Sequence, residues 1–123
     1  VWVAVDADGV RRLYLRRLDE FEVRPLEGTE DAYGPFFSPD GRWIAYFDHV
    51  EAQLEKTTVE GGFPTRICDA PSASKGGTWG DRGGIVFSPG YDRGLWLVSA
   101  DGGTAEPLLP DDRHTPTLEY WDW

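Results

Sequence analysis

Ser38-Pro39-Asp40-Gly41-Arg42-Trp43-Ile44-Ala45-Tyr46-Phe47 is the stretch that decides the fold. Its first half is a turn with a mechanism. Pro39 presets φ, Asp40 bonds the backbone beside it, and Gly41 takes a positive φ. Its second half, Trp43–Phe47, is an unbroken apolar run rich in aromatics, as expected of a strand buried on both faces. Outward from this pair, Tyr33–Ser38 reads as a strand entering the turn. Gln53–Val59 reads as a third strand ending at the hairpin signal Gly61-Gly62, and Pro64–Cys68 as a fourth. Asp69–Lys75, with Pro, Ser, Ala and Lys, reads as a connection.

This unit recurs with a period of 41 residues, one third of the 123-residue chain. Trp2-Val3-Ala4 returns as Trp43-Ile44-Ala45, and Ile44-Ala45-Tyr46 returns as Ile85-Val86-Phe87. Leu13, Leu54 and Leu95 keep the interval, as do Leu26, Ile67 and Leu108. The third copy predicts strands at Gly76–Gly80, Gly84–Ser88, Gly94–Ala100 and Thr104–Leu109. Its first turn, Asp81-Arg82-Gly83, is one residue shorter than its counterpart. No stretch has a helical period. Repeats of about 40 residues dense in short strands and turns are the mark of β-propeller blades. The expected fold is all-β, a β-propeller built of four-stranded antiparallel blades, three per chain. The units run approximately over 1–32, 33–73 and 74–113, with 114–123 as a closing first strand, all within one partial propeller spanning 1–123.

The ends of the repeat predict an assembly. The first unit begins on its second strand, and His114–Trp123 falls where a fourth unit would place its first. Such an offset lets a terminal strand complete the opening blade and remove an exposed edge. Three blades alone would leave two apolar faces in water, each of about 500 Å². Two copies would cover both pairs with about 2,000 Å² of interface in total. A six-bladed homodimer is the expectation; a fragment of a longer single-chain propeller is the alternative. The chain contains no Met, which predicts a natural start upstream of Val1.

Composition narrows the partners. Twenty-two acidic against twelve basic residues give a net charge of −10, which argues against nucleic acid. The longest apolar runs span five residues, Val1–Val5 and Trp43–Phe47, so neither a transmembrane helix nor a signal-peptide core is predicted within these residues. A soluble chain is expected, with an extracytoplasmic setting as part of a larger protein compatible with this reading. The single Cys68 permits no internal disulfide and reads as a buried structural thiol.

The turn and strand at Ser38–Tyr46 resemble the TolB-like propeller repeat. Leu13–Asp19, Val59–Gly62 and Ile85–Pro89 are similar to propeller segments that follow bacterial serine/threonine kinase domains. The resemblance covers nearly the whole chain and implies a non-catalytic module for interaction or sensing, commonly of six blades. The chain departs from the pattern at the Asp81 turn and after His114. No kinase loop is present, so the resemblance carries no kinase activity.

Motifs for chemistry are sparse. Asp6-Ala7-Asp8-Gly9 lacks the remaining ligands of a calcium loop and reads as a hairpin turn. No phosphate loop or nucleophile elbow occurs, and two histidines 65 positions apart do not make a metal triad. No catalytic residue, metal site or cofactor is predicted. In a propeller, the loops between second and third strands share a face with the connections entering each first strand. That face collects Asp6, Asp8, Asp48, Asp92 and Arg93 around a channel mouth. The candidate ligand-binding residues there are Tyr33, His49, Lys75, Tyr91 and His114. The acidic rim suits a basic peptide, a protein partner or a cation. An enzyme of lactonase or lyase type, with a metal at the mouth, is the competing class; its usual Asn ligands are missing, since the chain has no Asn.

Overall fold

A computed structural model describes residues 1–5, 7–16, 23–71, 74–90 and 94–108. These residues hold eleven strands and no helix. Accordingly, none of them forms a helix long and apolar enough to cross a membrane. The strands make three antiparallel sheets in chain order. The first contains β1 (Trp2–Val5), β2 (Arg11–Leu15) and β3 (Arg24–Pro25). The second contains β4 (Ala32–Phe37), β5 (Trp43–Asp48), β6 (Gln53–Thr58) and β7 (Thr65–Asp69). The third contains β8 (Gly77–Trp79), β9 (Gly84–Phe87), β10 (Trp96–Ser99) and β11 (Glu106–Pro107).

The apolar run at Trp43–Phe47 serves two cores, because alternate side chains of a strand leave opposite faces. Ile44 and Tyr46 pack with Leu13, Leu15, Leu26 and Ala32 between the first and second sheets. Ala45 and Phe47 join Leu54, Ile67, Ile85, Phe87 and Val98 between the second and third. β4 also lies against β8. Gly77 allows that approach, since a Cβ there would stand 2.9 Å from the Phe36 ring.

The 41-residue period is visible in individual hydrogen bonds. Leu26 N–H donates to the Leu13 carbonyl at 2.8 Å, and two periods later Leu108 N–H donates to that of Leu95 at 2.7 Å. Val59 N–H to Arg42 O and Ala100 N–H to Gly83 O are another such pair. The turn difference expected from sequence is also present. Ser38 N–H closes on Trp43 O across four residues, Gly80 N–H on Gly84 O across three.

One equivalence does not hold. Trp43 pairs with Thr58, and β9 pairs with β10 in the same frame. Carried back one period, that frame would set Trp2 opposite position 17. Trp2 instead pairs with Tyr14, three residues nearer. The turn is the physical reason. Gly9 has φ of 81°, and the Asp8-Gly9 hairpin centres the pairing there. An odd slip exchanges faces. Because Leu13 and Leu15 point toward the second sheet, Tyr14 and its partner Trp2 point away from it. Their rings stack at 6.2 Å between centroids, and Trp2 remains 41% exposed.

The first sheet has three strands where the others have four. The expected closing strand at 114–123 lies outside the described residues.

Candidate functional site

The end of the sheets where β4 and β8 begin carries the predicted mouth. Tyr33 enters there at the start of β4, and His49 stands in the turn that follows β5. The structure brings these two together, with ring centroids 6.2 Å apart and planes nearly perpendicular at 77°. Tyr33 also packs on Phe47 at 5.5 Å, which ties the mouth to the core beneath it. Partial burial raises the Tyr33 pKa. Lys75 precedes β8, held by its N–H to the Ser88 carbonyl at 2.9 Å. The next residue, Gly76, has its Cα 4.0 Å from where a Cβ on Gly34 would stand, so the Lys75 loop adjoins β4. Tyr91 and His114 lie outside the described residues, as do Asp6, Asp92 and Arg93.

A groove of about 480 Å³ opens beside His49 between the first two sheets, with Arg11, Glu30 and Asp31 in its wall. Glu30 is held by Arg12 Nε at 3.4 Å. The turn carrying His49 is fixed by Asp48, whose Oδ1 accepts the N–H groups of Val50 and Glu51, each at 2.9 Å.

Sequence reasoning did not single out Glu55. Burial, a side-chain hydrogen bond to Asp48, and the charges of Asp48 and Glu51 push its pKa up to about 7. Asp48 already accepts two N–H groups, so it is the ionised partner and Glu55 the proton donor. The Tyr46 hydroxyl is buried without a hydrogen-bond partner among the described residues. Burial, then the charges of Glu55, Asp48 and Glu30, raise its pKa. The only signal for this cluster in the sequence is the pairing of β5 with β6, which sets Glu55 opposite Tyr46.

Cys68 is buried, and that burial raises its thiol pKa to about 11, which leaves it protonated at neutral pH. Among the described residues no group of three or more His, Cys, Asp and Glu side chains is arranged to hold a metal ion. The mouth therefore presents a carboxylate-rich rim over an aromatic floor, a surface suited to a cationic group.

No protein-family model matches this chain, and no curated protein is similar to it.

Proposed function

We propose that this chain is half of a six-bladed β-propeller, completed by a second copy, and that it serves as a non-catalytic interaction or sensing module. The observation that carries the reading is the open face of the first sheet. The second sheet is covered on both sides by its neighbours. The first sheet instead turns the stacked Trp2 and Tyr14 outward. Face-to-face stacking of sheets related by a 41-residue period calls for another sheet there, and the third sheet of a second copy is the self-consistent supplier. The resemblance of the Ser38–Tyr46 segment to TolB-like repeats supports the same architecture. The ligand of the ring is a basic peptide or similar cation, received at the mouth beside Tyr33 and His49.

Sedimentation velocity at micromolar concentration tests the assembly. A dimer is expected, and Trp2→Ser should shift it to monomer by removing the aromatic centre of the interface. A stable wild-type monomer at tens of micromolar would sink the reading.

A further inference from the structure

Phe63 is 99% exposed, the most open of the large apolar side chains among the described residues. It stands in the hairpin between β6 and β7, and that hairpin is held firmly. Thr58 Oγ1 donates to Gly61 O at 2.7 Å, and Gly61 N–H to Thr58 O at 3.0 Å. Pro64 presses on the preceding sheet at Gly28, where a Cβ would stand 2.8 Å from its Cδ. The repeat provides an internal control. One period away on either side, the same position holds Glu22 and Thr104. The repeat does not demand a phenyl ring at this place.

The same end of the molecule carries a cavity of about 400 Å³ between the first two sheets. Leu15 and Val59 line its apolar part, together with Phe37, itself 41% exposed; Arg16, Arg42 and Glu60 supply charge. The corresponding place at the next junction is spanned. There Lys56, one period after Leu15, crosses to the Ala100 carbonyl at 2.7 Å, with its ammonium 4.9 Å from the Trp43 ring. Leu15 has no such reach, which leaves the first junction hollow. A phenyl side chain fits that volume and can lie against Phe37 with a guanidinium over its face.

We propose that Phe63 of one copy seats in this cavity of a second copy, and reciprocally, so that two molecules pair end to end. Val59 and Glu60 belong both to the cavity wall and to the Phe63 hairpin, so knob and hole share one end, as a two-fold axis requires. Glu60 at the base of each knob then meets Arg16 and Arg42 at the partner's hole, a complementary charge arrangement. Two rings and two holes bury about 800 Å² in total, the low end of specific contacts, so the pairing is weak and concentration-dependent. It uses a different surface from ring closure and does not depend on it.

Sedimentation equilibrium of the full chain from about 1 to 500 µM, a range bracketing such weak contacts, provides the test. Phe63→Ser and Phe37→Ser should each weaken the end-to-end step by about tenfold or more. An equimolar mixture of the two variants should associate more tightly than either alone, because each retains the part the other lacks. Association unchanged in both variants, or a mixture no tighter than its components, overturns the proposal. Trp2→Ser separates the two contacts: it should remove ring closure and leave the Phe63 step intact. Loss of association in Trp2→Ser alone would leave the ring standing and end the Phe63 pairing.

Discussion

Glu55 shows how one side chain couples the second sheet to pH. Its carboxyl pKa is raised from 4.5 to about 7, so the folded chain holds a proton that the unfolded chain has already released in that interval. The stability this confers is complete below about pH 4.5 and is lost as pH rises through about 7. Discounted for solvent screening, since Glu55 is only half-buried, the effect is about 1 kcal/mol. Glu55→Gln keeps a donor to Asp48 without a charge to develop. It should be more stable than wild type at pH 8 by about that amount, with the gap closing by pH 5. Thermal melts of both proteins at the two pH values check this, and parallel pH slopes would refute it. In sequence, Leu54-Glu55-Lys56 is ordinary strand alternation. Only the pairing of β5 with β6 and the turn at Asp48 bring two carboxyl groups together. Tyr33 and His49 were legible because propeller topology alone assigns their loops to one face.

At the scale of an element, the Ser38 turn and its shorter counterpart make a natural comparison. Ser38 Oγ donates to Asp40 Oδ1 at 2.6 Å and accepts from Trp43 N–H at 3.0 Å. The Ser38 hydroxyl, and then the Arg42 N–H, hold the Asp40 carboxyl below its usual range. Ser38→Ala leaves the Trp43 N–H without that acceptor and should cost about 1 kcal/mol in urea unfolding. Asp81→Ala, in the turn that closes directly from Gly80 to Gly84, should stay within about 0.5 kcal/mol of wild type. Equal costs at both sites would contradict this account. The strands of the second and third sheets were legible because their apolar runs and Gly-marked turns agree. The pairing of β1 was not. The spacing of Trp2 and Trp43 matches the period, yet the Asp8-Gly9 turn decides the register locally and turns Trp2 outward.

For the whole molecule, burial is graded across the sheets. Every residue from Ile44 to Phe47 is fully buried, whereas Trp2 and Val5 at the ends of β1 are exposed. In stacked repeats the free energy of opening depends on how many neighbours a unit has. Amide hydrogen exchange on the Trp2→Ser variant should therefore find β5 slowest, with β1 and β11 faster by at least about tenfold. Uniform protection across the three sheets would mean a single cooperative unit instead. The joints between sheets carry a further consequence. Arg24 Nη2 donates to the Val59 carbonyl at 2.7 Å, and Lys56 reaches the Ala100 carbonyl one period later. The donors come from different strands, but the acceptor is the same backbone position, and a backbone carbonyl is indifferent to the residue that bears it. Such a joint lets a gene lengthen by copying. A chain with residues 42–82 duplicated would offer Lys56 the Val59 carbonyl of its own copy, so an added unit finds its fastening already in place.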